Sequence, residues 1–213
     1  MDNVKLVRLV LGPISTNCYV LKNESTSGIV VIDPADQADE ILDTAKEIGG
    51  TIRAILLTHG HFDHIGAVKE LAERTGAGVW IHREEEELLA DSRANLSAMH
   101  GGMDCSIHAD HLVTDGELIE EAGFLFKVLF TPGHTKGGCC YYLEKEGFLF
   151  SGDTLFDHSV GRTDFPTGSM EILLKSIREK LFPLPDDTWV LPGHGGISKI
   201  GDEKRENPFV REV

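Results

Sequence analysis

Between His59 and His64 the chain packs three imidazoles and a carboxylate into the run Thr58-His59-Gly60-His61-Phe62-Asp63-His64. Crowding such groups is costly unless something uses them. Imidazole nitrogen and carboxylate oxygen are the donors that suit zinc and other late divalent metals. The run follows Ala54-Ile55-Leu56-Leu57, which reads as a buried strand, and leads into Ile65-Gly66-Ala67-Val68-Lys69-Glu70-Leu71-Ala72, whose apolar spacing is helical. On such a strand-to-helix turn, His59 and His61 alternate off the strand end while Asp63 and His64 turn toward a different point. That arrangement suits two adjacent metals better than one.

Three distant segments repeat the pattern. Thr131-Pro132-Gly133-His134-Thr135 places a His after the apolar strand Phe124 to Phe130, and Phe148-Leu149-Phe150-Ser151-Gly152-Asp153 places an Asp at the end of another. Trp189-Val190-Leu191-Pro192-Gly193-His194-Gly195 places a further His. In each, a strand ends, a small residue or Pro-Gly turn follows, and a ligand-type side chain comes next. Open sheets build sites in this way, from strand ends that converge on one edge.

On these residues the chain resembles the metallo-β-lactamase-fold hydrolases over nearly its whole length. Within them it is most similar to the glyoxalase II group, especially its short single-domain members. The supporting segments are Thr16-Asn17-Cys18-Tyr19-Val20-Leu21, Val31-Ile32-Asp33-Pro34, Ser151-Gly152-Asp153-Thr154-Leu155-Phe156, Gly161-Arg162-Thr163-Asp164-Phe165 and Pro192-Gly193-His194-Gly195, followed by Glu203-Lys204-Arg205 and Asn207-Pro208-Phe209.

The resemblance implies that His59, His61 and His134 hold a first metal and that Asp63, His64 and His194 hold a second, with Asp153 bridging. Asp63 and Asp153 are then the carboxylates of the catalytic centre. Two divalent ions are expected, zinc first, with iron or manganese as alternatives. A water trapped between them drops its pKa from ~15.7 toward ~7, so hydroxide is available without a separate base. One metal polarises the substrate carbonyl and stabilises the oxyanion. The expected reaction is hydrolysis of S-lactoylglutathione or a related small thioester, with lactones and esters as alternatives. A second alternative is a persulfide dioxygenase with one iron on two His and an Asp, a group with the same fold and a similar Gly-Arg-Thr-Asp-Phe loop.

Arg162, nine residues after Asp153, is the expected substrate-binding residue. In the glyoxalase II group a basic residue of this loop contacts the glutathione part of the substrate. Asp164 is its expected partner, and pairing with it is the competing structural role. Full-length glyoxalase II carries further glutathione contacts on a C-terminal helical domain, which the sequence after Pro208-Phe209 is not expected to supply. Gly196-Ile197-Ser198-Lys199-Ile200 also departs from the Pro-x-Thr-Thr-Ile usual in short members.

With 213 residues and 41% apolar composition, the chain is expected to form one domain, 1–213. Its predicted elements are strands at 4–12, 17–23, 28–33, 52–57, 78–81, 124–130, 138–144, 147–151 and 187–191, and helices at 36–48, 64–75, 83–90 and 169–181. Strands followed by helices in both halves suggest two sheets face to face with helices outside. This is the α+β, αββα four-layer sandwich that the resemblance implies.

The net charge of −15, from 20 basic against 35 acidic residues, argues against a nucleic-acid partner. No apolar run is long enough for a bilayer, and Met1-Asp2-Asn3-Val4-Lys5 lacks the features of a signal peptide. Cys18, Cys105, Cys139 and Cys140 form no metal-type pair or disulfide framework, so a reduced, cytoplasmic setting is expected. Cys18 and Cys139 are read as core thiols that could approach the site. The expected partner is a small thioester, and homo-oligomerisation is left open. Glu84 to Glu87 reads as a solvated helix start, His82 as a surface residue, and His158 as a pocket-lining residue. The segment 91–116, with His100, Cys105, His108 and His111, reads as an irregular loop beside the site, flexible at Gly101-Gly102.

Overall fold

The computed structural model describes residues 3–100 and 105–210. The first half of the chain builds one six-stranded sheet from β1 (Val4–Leu11), β2 (Thr16–Asn23), β3 (Gly28–Ile32), β4 (Thr51–Leu56), β5 (Gly78–His82) and β6 (His111–Val113), hydrogen-bonded in that order. β1, β2 and β3 are antiparallel, and β3 through β6 are parallel. Parallel neighbours need crossovers, which α1 (Ala38–Glu47) and the α2 (Phe62–Ile65) plus α3 (Val68–Thr75) segment supply. α4 (Glu86–Ala90) follows β5.

The second half builds the other six-stranded sheet. Its strands are β7 (Leu118–Glu121), β8 (Phe124–Phe130), β9 (Cys139–Leu143), β10 (Phe148–Gly152), β13 (Trp189–Pro192) and β14 (Ser198–Lys199), in the order β14-β13-β10-β9-β8-β7. β11 (Leu155–Phe156) and β12 (Ser159–Val160) form a small separate hairpin. α5 (Met170–Ser176) runs into a π-helical turn at Ile177–Leu181, and α6 (Ile200–Glu206) follows β14.

Strand alternation sends side chains to opposite faces, and both faces of each sheet are covered. Tyr19, Leu21, Val30, Ile32 and Leu56 meet Phe126, Val128, Tyr141, Phe150 and Leu191 between the sheets. On the outer face of the first sheet, Val20, Val31 and Ile55 pack with Ile41 of α1 and Val68 and Leu71 of α3. Outside the second, Cys140, Tyr142, Leu149 and Val190 pack with Leu173, Ile177, Leu181 and Ile200. Each fully buried Leu, Ile, Val or Phe contributes about 1.5–3 kcal/mol. These layers are the expected αββα sandwich, and they explain why β2 and β3 are buried along their whole length rather than at alternate residues.

Several local expectations change. The helix expected over 64–75 is two pieces, because a Cβ at Gly66 would lie 2.3 Å from the carbonyl oxygen of Ala35. Only glycine lets that backbone sit so close, and the adjacent Ala67 N–H donates to the Pro34 carbonyl at 2.9 Å. His82 is buried rather than on the surface, stacked on Phe130 at 4.2 Å between ring centroids. The Glu84 to Glu87 segment is not wholly solvated, since Glu85 is fully enclosed. His111, placed in the irregular loop, lies on β6 and stacks on Trp80 at 3.9 Å. Gly101-Gly102, expected to be flexible, lie outside the described residues.

Candidate active site

The seven ligand-type residues named from the sequence converge on one edge of the sandwich. His59 and His61 leave the end of β4, Asp63 and His64 open α2, His134 follows β8, Asp153 follows β10 and His194 follows β13. Their ligand atoms fall into overlapping sets within 4.8 Å: His59, His61 and His134; Asp63, His64 and His194; and His59, His64 and Asp153. Asp153 lies between the first two. Its Oδ1 is 3.3 Å from His64 Nε2, and its Oδ2 is 3.6 Å from both His134 Nε2 and His194 Nε2. Asp63 Oδ2 is 3.2 Å from His194 Nε2 and 3.4 Å from His64 Nε2.

The donor set suits cations on physical grounds. His61 Nδ1 and His134 Nε2 face each other at 2.9 Å, two ring nitrogens that need a shared proton or a cation between them. His59 Nε2, His64 Nε2 and Asp153 Oδ1 are buried without a hydrogen-bond partner. Buried polar atoms left unpaired in this way are expensive. Gly193 makes room for them, because a Cβ there would come within 2.3 Å of Asp153 Oδ1 and 2.6 Å of His64 Cε1.

Electrostatics divide the cluster. Burial, reinforced by the neighbouring imidazoles, pushes His59 well below its ordinary range. Burial and His134 likewise push His61 down to about 3. For His64 burial works in the same direction, but Asp63, Asp153 and Asp33 outweigh it and raise the pKa. His194 is raised too, its burial outweighed by Asp63 and Asp153. Burial alone would raise Asp153 and Asp63, yet His64 and the other imidazoles hold both below the usual carboxylate range.

Supporting groups aim the ligands. Asp33 accepts from the Thr58 amide at 2.8 Å and the Thr58 hydroxyl at 2.7 Å, and its Oδ2 lies 3.0 Å from His64 Nδ1. That bond turns Nε2 of His64 into the cluster. The carbonyl of Arg162 does the same for His134, 2.7 Å from Nδ1. Asn17 donates from its side chain to the carbonyls of Pro192 and Gly195, Tyr19 donates its hydroxyl to Pro192, and the Asn17 amide donates to Gly193. The Thr16-Asn17-Cys18-Tyr19 segment thus grips the turn that carries His194. Thr16 also donates to Asp63 Oδ2 at 3.3 Å.

Above the cluster lies a cavity of about 410 Å³. Its walls are largely apolar, with Ile14, Phe62, Leu96, Phe156, Val160 and Phe165, and His100 and Arg162 stand at its sides. His100 stacks on Phe62 at 3.9 Å, so part of the 91–116 segment does flank the site as expected. Arg162 pairs with Asp164 through Nε at 2.7 Å and Nη2 at 2.6 Å, and its guanidinium lies 4.1 Å from the Phe165 ring centroid. His158 does not line this cavity: it sits in the turn between β11 and β12, bonded to Asp157 and Glu206. Cys139 reaches the site's inner edge beside Thr58, His59 and His134, whereas Cys18 is packed in the outer core.

Sequence reasoning gave Asp33 no role, although Val31-Ile32-Asp33 obeys the same strand-end rule as the ligands. Thr58 and Glu85 were missed as well. Nothing in the Glu84 to Glu87 run distinguishes the one carboxylate that turns inward.

Residues 11–194 match the profile of the metallo-β-lactamase superfamily, and the chain belongs to that superfamily. Its fold and its His/Asp cluster are those of a metal-dependent hydrolase of the group. It is 42% identical to the probable metallo-hydrolase YqgX of Bacillus subtilis, over 97% of this chain and 98% of that one. It is 36% identical to the hydroxyacylglutathione hydrolase GloC of Haemophilus influenzae, covering 91% and 92%. Among solved structures, the BLEG-1 B3 metallo-β-lactamase matches with TM-score 0.92 and 42% identity over 97% and 99% of the two chains. TTHA1623 in a di-iron-bound form matches with TM-score 0.85 and 36% identity over 95% and 99%. ETHE1 from Myxococcus xanthus matches with TM-score 0.80 and 34% identity over 97% and 84%.

Proposed function

We propose that this chain is a single-domain, dinuclear thioester hydrolase of the glyoxalase II type, acting on S-lactoylglutathione or a related small thioester. The observation that carries the reading is the pair of ligand sets on either side of Asp153 at the floor of one cavity. His59, His61 and His134 would hold one divalent ion, Asp63, His64 and His194 the other, with Asp153 between them. Zinc is the metal we favour, and the di-iron form of TTHA1623 makes iron the first alternative. Bound there, two such ions would lower the pKa of water from ~15.7 toward ~7 and polarise a carbonyl.

The chain's own residues supply the rest. Asp33 and the Arg162 carbonyl fix the imidazoles of His64 and His134 in the tautomers that present Nε2 to the ions. The Phe62, Phe156 and Phe165 walls exclude bulk water and strengthen every electrostatic contact inside. Arg162 spends Nε and Nη2 on Asp164, which leaves Nη1 to meet an anionic group of the substrate. The pairing with Asp164 and the stacking on Phe165 hold the guanidinium in place before substrate arrives, so little rotamer entropy is lost on binding.

The name of GloC supports the thioester reading. A small-molecule partner fits both the cavity and the acidic charge of the chain, and no helix among the described residues is long and apolar enough to cross a membrane. We favour a cytoplasmic setting because Cys18, Cys139 and Cys140 are buried free thiols.

The test is elemental analysis together with anaerobic assay of S-lactoylglutathione, a neutral thioester and a β-lactam. About two ions per chain and oxygen-independent thioester hydrolysis are expected. Arg162→Ala should keep its metal and lose about 1.5–3 kcal/mol of transition-state binding for anionic thioesters, the range for a hydrogen bond to a charged group. Strict oxygen dependence with a persulfide would move the assignment to the dioxygenases. Preferred turnover of the β-lactam would move it toward the activity named for BLEG-1.

A further inference from the structure

Glu85 is one of two fully enclosed carboxylates, with Glu203, that the site described above does not use. It sits on the 3₁₀ turn Arg83–Glu85 after β5, and burial lifts its pKa to about 7. Lys136, the lysine of the loop it faces, is bonded to Glu87 instead at 2.6 Å. A carboxylate enclosed in this way is rare unless its oxygens are satisfied. Those of Glu85 are satisfied by two backbone amides from different parts of the chain. Oε1 accepts from the Gly60 N–H at 3.1 Å and Oε2 from the Gly137 N–H at 2.8 Å.

The placement of those amides is selective. Gly60 lies between His59 and His61, and Gly137 lies three residues beyond His134. The two glycines flank all three imidazoles of one ligand set, whereas Asp63 and His64 of the other stand beyond His61 on α2. The separation of the two loops fixes the approach of His61 Nδ1 to His134 Nε2, 2.9 Å, and the 4.8 Å between the His59 and His134 ring centroids. The opposite set is held by different groups, with His64 on Asp33, Asp63 on Thr16, and the His194 turn on Asn17 and Tyr19.

We propose that Glu85 is a positioning residue for the His59–His61–His134 subsite, a carboxylate strut whose two oxygens set the spacing of the loops carrying those three ligands. The inference rests on the metal-binding reading of the cluster. A carboxylate is required because both partners are donors and an ionised carboxylate accepts through both oxygens. An amide keeps the shape but offers one acceptor, so the other oxygen's position becomes an NH₂ group facing an N–H. One loop is then released with almost no change in volume.

The experiment measures zinc affinity of the full-length chain by competition with a chromophoric chelator, with and without Glu85→Gln, in two backgrounds. His194→Ala leaves the His59–His61–His134 set to be read, and His61→Ala leaves the other. Glu85→Gln should weaken zinc by about 10–100-fold in the His194→Ala background, the range for groups that orient metal ligands, and leave the His61→Ala background unchanged. An equal fall in both would make Glu85 a general structural residue, and no fall in either would remove it from the site; both results overturn the proposal. Failure of the unsubstituted chain to hold two ions would sink the metal reading itself, a separate outcome. Should Glu85→Gln not fold, amide exchange of the unsubstituted protein decides. The Gly60 and Gly137 amides must both be protected, and free exchange of either overturns the strut.

Discussion

Three imidazoles of one short loop are pushed in opposite directions by their surroundings. Burial beside other imidazoles lowers the pKa of His59 and His61, while three carboxylates outweigh burial and raise that of His64. The residue types were legible in the sequence, but this division was not, because it depends on Asp33 and Asp153, which are distant along the chain. His82 shows the same limit. From the sequence it reads as a polar residue after a strand, yet Phe130 covers its ring and its Nδ1 accepts from the Glu84 amide at 3.3 Å. Burial lowers its pKa, so the folded state binds the proton less readily than the unfolded chain. The stability this contributes is present above the unfolded value, ~6.5, and is lost as pH falls through the folded value. Thermal melts from pH 7.5 to 5 should therefore show a loss of Tm that His82→Phe reduces. An unchanged pH slope in that variant would place the sensitivity elsewhere.

The ligand-bearing strand ends were readable because each joins an apolar run to a Pro-Gly or small-residue turn. β4, β8, β10 and β13 all stand where such runs were recognised. What escaped was short or depended on contact. β6, β11, β12 and β14 have two or three residues each, too few for a period to show. The break between α2 and α3 answers to the Ala35 carbonyl, a partner that local propensity cannot reveal. The turn after β13 offers a direct test of such close approaches. In Gly193→Ala the new methyl has to displace Asp153 or His64, and the Asn17 and Tyr19 bonds to this turn prevent the backbone from retreating. The variant should keep its circular dichroism spectrum and lose bound metal on elemental analysis. Full occupancy would show that the turn yields more easily than its bonding implies.

The order of strands divides the whole molecule at one point in the chain. Every strand of the first sheet precedes residue 114 and every strand of the second follows residue 117. The charge and length of the sequence gave no hint of this, because the apolar runs on either side are alike. The sandwich layout was legible in the strand-then-helix order of both halves as well as in the family resemblance, and the inner layer of Tyr19, Phe126, Tyr141 and Phe150 is what realises it. That inner layer argues for a single cooperative unit, so chelation should lower the Tm of one shared transition rather than separate two. A ligand held at 100 times its Kd is worth about 2.7 kcal/mol by mass action. Two resolved transitions after chelation would contradict the shared unit.

The 114–117 turn also divides the ligands, four before it and three after. Neither half of the polypeptide owns a complete set of the proposed ligands apart from the other, since His134 completes one and His194 the other. A chain cut in that turn therefore becomes a two-component system in which the ion acts as the latch. Zinc should draw the separate pieces together, chelator should let them part, and their affinity should report the metal concentration around them.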